Sequence, residues 1–409
     1  MTDTLKPRDG KDVEDAVRWA IAEGKALEIA GHGSKRGIGR TVQTDLTLDL
    51  SGLAGVTLYE PEELVLTARA GTPIAEIEAL VASKGQQLAF EPMDYGPLFG
   101  RPTGRGTIGG VLAANVSGPR RIKAGAARDH FLGFTAVSGR GETFRSGGRV
   151  VKNVTGYDLC KLMAGSWGTL AALTEVTIKT LPRPETEATV LVLALHADTA
   201  SKAMAAAMGS SCDVSGAASL PENVALLTSR DLLPRGASVT AFRLEGVAPS
   251  VEHRRRSLEA ILQPFGKIAV LEEAASKTVW RAIRDAVALV ATDPEEHGAL
   301  WRISLPPSES ARFAASLPEA GRARMLVDWA GGLVWLRVMV RGETLAPAVR
   351  ETVRACGGHA TLVEAYTALD AVNDVFEPQD AGLAALTKRV KEGFDPKGVF
   401  NPGRMWAGV

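Results

Sequence analysis

The chain has 409 residues, 45% hydrophobic and 23% charged, a composition that fits two to three folded domains and excludes a disordered protein. Its 47 Lys+Arg balance 47 Asp+Glu, so it lacks the basic excess that a dedicated nucleic-acid binder uses to displace counterions. No apolar run reaches bilayer-spanning length, the start shows no basic segment followed by an apolar one, and the scattered Cys160, Cys212 and Cys356 form neither a disulfide framework nor a metal spacing; the expectation is a cytoplasmic protein without a metal site.

In chain order, Val13, Ala16, Val17, Ala20 and Ile21 follow the spacing of one buried helix face, with Asp12 as its cap and Gly24 as its stop. A short strand carrying Leu27 and Ile29 then runs into Gly31-His32-Gly33-Ser34-Lys35. Strand patterns recur at 46–50, 56–59 and 64–70, and Thr72-Pro73 opens a helix with Ile74, Ile77, Leu80 and Val81 inward and Gly85 at its end. From Glu91 to Gly118 the chain is too rich in Gly, Pro and small residues to build core. Residues 131–138 and 142–145 read as a hairpin across Gly139-Arg140-Gly141. A helical piece at 157–163 precedes Gly165-Ser166-Trp167-Gly168, a strand spans 173–180, and Leu181-Pro182-Arg183-Pro184 makes a stiff boundary. Beyond it the pattern is strand 189–195, helix 199–208, strands 224–228 and 239–244, helix 251–262 and strand 268–271. The same order returns as strand 301–305, helix 308–316, strands 325–327 and 334–340, helix 345–355 and strand 361–363. Each run has the β-α-β-β-α-β order of a ferredoxin-like unit, which predicts two such units side by side.

Three loops could carry chemistry. Gly31-His32-Gly33-Ser34-Lys35 ends a strand in glycines and a hydroxyl, leaving amides free to converge on a phosphate, although the Walker A spacing fails. The bland alternative is an ordinary strand-to-loop turn. Gly104-Arg105-Gly106-Thr107-Ile108-Gly109 matches G-x-G-x-x-G, but the Pro/Gly-rich stretch before it cannot be the buried strand of a Rossmann unit. What survives is a glycine loop opening a short helix at 107–114, whose start favours an anion. The third, Lys152-Asn153-Val154-Thr155-Gly156-Tyr157-Asp158 followed by Gly165-Ser166-Trp167-Gly168, places small residues where backbone could lie against a flat ligand, or simply at a tight helix–strand junction. Between Arg101 and Arg149 there are eight Arg and one Lys against one Asp and one Glu, a local positive field that suits a diphosphate pocket, an acidic partner or a solvated face. Together these loops suit a large dinucleotide held in extended form. The six histidines show no paired metal spacing and no G-x-S-x-G is present, which disfavours metal chemistry and nucleophilic hydrolysis.

The order of helix, strand, GHGSK, PTGRGTIGG, KNVTGYDL and GSWGTLAALTEVTIK, with the ending FDPKGVFNPGRM at 394–405, resembles the vanillyl-alcohol-oxidase/PCMH class of FAD-binding proteins from end to end. KNVTGYDL, ANVSGPRR, LWRISLP and GGHAT are closer still to one branch of that class, the E-type FAD-binding subunits of bacterial glycolate oxidase. The resemblance implies an α+β fold: a PCMH-type two-subdomain FAD-binding domain at 1–184, a cap of two ferredoxin-like antiparallel units at 185–390, and a C-terminal segment at 391–409 returning to the flavin site. It implies FAD held at Gly31, His32, Gly33, Ser34 and Lys35 and at Thr107, Ile108, Gly109 and Gly110 by its pyrophosphate. Asn115, Ser117, Gly118, Lys152, Asn153, Thr155, Gly156, Tyr157 and Asp158 would line the ring and ribityl chain, and Asn401 and Arg404 would approach from the cap side. It also implies oxidation of glycolate to glyoxylate in a complex with a second flavin subunit and an iron–sulfur subunit, electrons leaving towards membrane quinone and the membrane met only through partners.

Two departures qualify the likeness. Covalent members place a His directly before the loop serine, where this chain has Gly33, so non-covalent FAD is expected. Related 2-hydroxy-acid dehydrogenases carry a metal-binding His and acidic cluster in the cap, and this sequence has none. Only His359 remains as a base, with Arg302 or Arg337 to clamp a carboxylate. That absence predicts a chain whose substrate chemistry sits mainly on its sister subunit; a stand-alone hydroxy-acid dehydrogenase and a scaffold with a vestigial flavin site are the alternatives.

Overall fold

The N-terminal helix, Gly10–Ala22, buries Val13, Val17 and Ala20 as its spacing predicts. Its cap is Asp9 rather than Asp12: the Asp9 carboxylate accepts from the amides of Lys11 and Asp12, both at 2.9 Å. Asp12 sits one turn inside and pairs with Arg8. This computed structural model describes residues 3–42, 44–149, 156–292, 298–317, 323–339, 345–365 and 374–409. A three-stranded parallel sheet, in the order Asp3–Leu5, Leu46–Asp49, Leu27–Ala30, lies beside a five-stranded antiparallel sheet in the order Val56–Glu60, Val65–Arg69, Ala171–Lys179, Phe131–Ser138, Thr143–Gly147. Helix and sheets meet in one apolar cluster of Val13, Val17, Leu27, Leu48, Val137, Ala172 and Phe400. Phe400 belongs to the far end of the chain. It bridges to Leu27, whose amide donates to Val399 O at 2.7 Å and whose carbonyl accepts from Asn401 N at 3.0 Å.

Residues 186–364 build an eight-stranded antiparallel sheet: Lys267–Leu271, Thr186–Leu193, Val239–Gly246, Gly216–Leu220, Ala323–Asp328, Leu333–Val338, Leu300–Ser304, His359–Glu364. Numbered along the chain, each half has the 4-1-3-2 order of a ferredoxin-like unit, and the halves join edge to edge where Ser219 meets Val327. One expected strand is displaced. Residues 224–228 belong to the helix Glu222–Thr228, and the strand is Gly216–Leu220 just before it. Gly-Ala-Ala-Ser-Leu has little intrinsic strand character; its pairing on both sides makes it a strand. Two helices escape the sequence reading, Glu273–Arg284 and Ala381–Phe394.

The eight-stranded half meets the N-terminal half through a buried charge cluster. Arg243 donates from both terminal nitrogens to Glu91 at 3.0 Å, and Arg120 grips Glu245 at 2.8–3.0 Å. Burial works against the Glu245 charge, yet Arg243 and Arg120 hold its carboxyl down to about 2. Arg120 is thereby withdrawn from the basic run at 101–149. Arg121 lies 4.3 Å over the Trp329 ring, and Arg140 donates to Gly393 O at 3.0 Å. These three cations of the run do not share one exposed face; they brace the fold.

Candidate functional site

A first cleft of about 760 Å³ opens beneath the Gly31–Arg36 loop and is floored by Gly109, Gly110, Ala113 and Gly168. The amides of His32, Gly33, Ser34 and Lys35 donate to no acceptor among the described residues, so the strand end at Ala30 delivers consecutive free N–H groups. Lys35 sends its ammonium into the same space. Among the described residues it has no carboxylate within ion-pair distance; it donates to Ser34 Oγ at 3.3 Å and lies 5.9 Å from the Tyr95 ring. Burial, opposed by Asp94 and reinforced by Arg404, lowers Lys35 to about 8. Arg404 reaches the cleft from the C-terminal segment, donating to the carbonyls of Lys35 and Ile38 at 3.2 and 3.1 Å. Arg404 Nε and His32 Nδ1 are buried without a hydrogen-bond partner among the described residues. Backbone approach is close: a Cβ on Gly31 would stand 2.6 Å from Thr107 Oγ1, and one on Gly168, at φ +73°, 2.8 Å from Asn401 Nδ2. Free amides, an unpaired ammonium and orphaned donors facing a smooth glycine floor are the donor set that a dinucleotide pyrophosphate requires.

The Thr107 turn acts differently from the sequence expectation. Ile108 N donates to Thr72 O at 2.9 Å, Gly109 N to Ala70 O at 2.8 Å, and Gly110 N to Thr107 Oγ1 at 3.3 Å. These amides are satisfied within the protein, and the helix they open, Ile108–Ala113, has six residues. The two glycines give close approach, while the amides that face the cleft come from the first loop.

A second cleft of about 650 Å³ shares Ala114 and Trp167 with the first and lies between the two halves of the molecule. One wall is Asn115, Val116, Ser117 and Gly118; the other is Arg302, Asp328, Leu333, Trp335, Thr361 and Val363 from the cap sheet. Tyr95 and Phe376 close it, and Phe376 stands edge-on to Trp167 at 5.5 Å. Asn115 Oδ1 accepts from Arg128 N at 3.1 Å and Ser117 Oγ from Ala127 N at 2.9 Å, so both hold the wall as well as lining it. Arg302 has no carboxylate partner among the described residues. Its guanidinium lies 5.1 Å from the Trp329 ring and 6.0 Å from Trp335. Burial pulls its pKa below the ordinary arginine value, with Tyr95 the only group opposing that.

The remaining sequence candidates scatter. Arg337 is fully buried but braces the fold, donating to Leu289 O and Gly298 O at 3.0 Å and pairing with Glu364 at 2.6 Å; it lines neither cleft. Asn401, expected at the ring, instead clamps the chain: its side chain accepts from Ile29 N at 3.0 Å and donates to Trp167 O at 2.9 Å. Gly156, Tyr157 and Asp158 line neither cleft; Tyr157 is 90% exposed and Asp158 caps the helix Leu159–Met163. Lys152, Asn153 and Thr155 lie outside the described residues. His359 is exposed at the start of its strand, two residues outward of Thr361. The sequence reading missed Tyr95, Asp328, Trp335, Thr361 and Phe376 as cleft residues, since nothing in their local sequence marks them; only strand register brings the cap residues together.

Comparison with known proteins agrees with this geometry. The FAD binding domain family matches residues 4–147, and the C-terminal domain family of FAD linked oxidases matches residues 375–405. The chain is 35% identical to glycolate oxidase subunit GlcE of Escherichia coli over 96% of each chain. It is 28% identical to glycolate oxidase subunit GlcD of Bacillus subtilis over 98% of this chain and 88% of that one. In fold it resembles 4-ethylphenol oxidase from Gulosibacter chungangensis, with a TM-score of 0.71 at 14% identity over 99% of this chain and 89% of that one.

Proposed function

The chain belongs to the PCMH-type FAD-binding oxidase family, and from that membership we propose that it is the FAD-binding subunit of a complex that oxidises glycolate, or a closely similar 2-hydroxy acid, to the 2-oxo acid. FAD is held non-covalently. The amides of His32 to Lys35 and the Lys35 ammonium grip the pyrophosphate, and Trp167, with the Arg404 guanidinium 5.7 Å from its ring, stands where the first cleft meets the second. The bound flavin supplies a two-electron, hydride-accepting oxidant. The chain's own residues hold the substrate. Arg302 takes the carboxylate, and Trp335 and Phe376 close the space around it against water. A second flavin subunit and an iron–sulfur subunit carry the electrons onward.

The observation that carries this reading is Arg302, a cation without a carboxylate partner among the described residues, in a cleft that shares Ala114 and Trp167 with the first. The test is anaerobic mixing of the FAD-loaded chain with glycolate, alone and with the partner subunits, following the flavin absorbance. Bleaching in the complex that requires Arg302 supports the reading. A complex whose flavin stays oxidised with glycolate, D-lactate and 2-hydroxyglutarate alike overturns it.

A further inference from the structure

Removing a hydride from a carbinol requires that the hydroxyl proton leave at nearly the same time. Among the described residues no cluster of His, Cys, Asp or Glu could hold a metal to assist, and His359 stands exposed at the rim. The second cleft does contain one carboxylate, that of Asp328.

The cap register places it. Asp328 lies opposite Leu333, Leu333 opposite Ser304, and Ser304 opposite His359, while Arg302 pairs with Trp335 in the adjacent row. Leu333, Trp335, Arg302 and Asp328 all line the cleft, so they share one face of the sheet. Asp328 and Arg302 are two strands and two residues apart, roughly 10 Å across the sheet and 7 Å along it. The long arginine side chain covers much of that separation. A small molecule with carboxylate and hydroxyl on neighbouring carbons spans the rest. His359 occupies the opposite, outer end of the Asp328 row.

Asp328 is also held for use. It is 3% exposed, its Oδ1 accepts from Trp329 N at 2.7 Å, and no other hydrogen bond or ion pair reaches the carboxylate among the described residues. The turn after it keeps two consecutive non-glycine residues left-handed, Trp329 at φ 53° and Ala330 at φ 55°. Such strain persists where surroundings over-determine it. Here Trp329 Nε1 donates to Gly118 O at 2.9 Å, and its ring contacts Arg121 and Arg302.

We propose that Asp328 is the proton acceptor for the substrate hydroxyl. This rests on the reading that a 2-hydroxy acid is oxidised in the second cleft. The O–H proton passes to Asp328 Oδ2, and the O–H electron pair becomes the second bond of the new carbonyl. The Cα–H pair leaves as hydride to the two-electron flavin oxidant, and Asp328 ends as a carboxylic acid that loses its proton before the next turnover. The charged and titratable groups around it are Arg243 from the neighbouring half-sheet, Glu91 from the FAD-type half, Arg284 from the helix Glu273–Arg284, and Arg302 and Tyr95 in the cleft. Burial, opposed by the Trp329 amide and by Arg243, raises Asp328 to about 7, where a carboxyl is matched to proton exchange at neutral pH. The base absent from the sequence motifs is thereby supplied by the fold.

The experiment uses the FAD-loaded full chain, with and without partner subunits, as wild type, Asp328→Asn and His359→Ala. Glycolate should bleach the wild-type flavin, and Asp328→Asn should slow bleaching by about 100-fold or more while keeping full flavin occupancy. Independently of turnover, infrared titration should show a protonated-carboxyl band near neutral pH that is missing in Asp328→Asn. In wild type that band should shift with 2-hydroxy-2-methylpropanoate, which keeps the carboxylate and hydroxyl but has no hydride to give. Unchanged bleaching in Asp328→Asn, or a rate lost in His359→Ala instead, overturns the proposal and leaves the functional reading intact. No bleaching of wild type by any hydroxy acid overturns the functional reading itself.

Discussion

The two clefts touch at Ala114 and Trp167 but are built on different logic. The first is mostly backbone: consecutive amides, glycines whose Cβ would collide, and few side-chain donors. It asks for a long anionic ligand and tolerates little change. The second takes many of its side chains from the cap, with two arginines, Arg284 and Arg302, one carboxylate, Asp328, and aromatic walls. The contrast teaches that if the second cleft takes the substrate, as proposed, affinity for the cofactor and choice of substrate are separable, because different parts of the chain line the two clefts.

Four perturbations break or sharpen that separation. The largest effect should come from Lys391→Met, which should erase it. Lys391 is 4% exposed and donates to Thr169 O, Phe400 O and Asp395 at 2.7–2.8 Å, locking the returning C-terminal segment. Its loss leaves Asp395 buried without its cation, at a cost of about 3–5 kcal/mol. Thermal or urea unfolding should show that loss, with flavin released as Arg404 leaves. Next, Gly110→Asp should damage the first cleft alone. The new carboxylate would sit against Lys35 Nζ, 3.7 Å from the built Cβ, where the pyrophosphate belongs. Flavin affinity should fall about 100-fold or more, measured by fluorescence titration, while the circular dichroism of the fold is kept.

A smaller effect is a pH signature of the first cleft. Lys35 sits at about 8 with no anion present, and a bound pyrophosphate raises it. Below that pH the lysine is charged in both states and affinity is flat. Above it, binding must take up a proton, so affinity should fall by up to about tenfold per pH unit. Lys35→Met should flatten the profile. The smallest effect should be Trp329→Phe, which keeps an aromatic face, though a smaller one, and removes the indole Nε1 bond to Gly118 O. It should cost about 1 kcal/mol in unfolding, leave flavin affinity unchanged, and weaken binding of 2-hydroxy-2-methylpropanoate severalfold by calorimetry. Equal losses in both clefts would show that they act as one.

Much of this was readable in the sequence because it is local. Glycines at 31, 33, 109 and 110 are contiguous signals of backbone that must approach a ligand closely, and the FDPKGVFNPGRM ending resembles the C-terminal motif of a known class. Alternating apolar residues marked most strands, and the recurring element order marked the paired cap units. Errors arose where local signals compete. Asp9 and Asp12 are both good caps, and only the chain's entry angle selects Asp9. Val224–Thr228 looks like a strand, yet Pro221 and the packing of the preceding segment start a helix there.

By itself the sequence marked the loop that offers amides and suited it to a large dinucleotide, because glycine placement acts within a few residues; the family and FAD followed from the resemblance of its motifs to a known class. Only the tertiary structure decided what each polar side chain does. Arg302 and Arg337 lie on paired strands, two residues out of register, yet one lines a cleft while the other is wrapped in carbonyls and Glu364. Asn401 became a clamp because the segment it rides on is itself a strand partner of Leu27. Asp328 came into the cleft because the register of the cap sheet sets it in one row with Leu333 and Ser304, two residues from Arg302. Burial and partnership, which turn a residue type into a brace or a base, are properties of that alignment and have no local code.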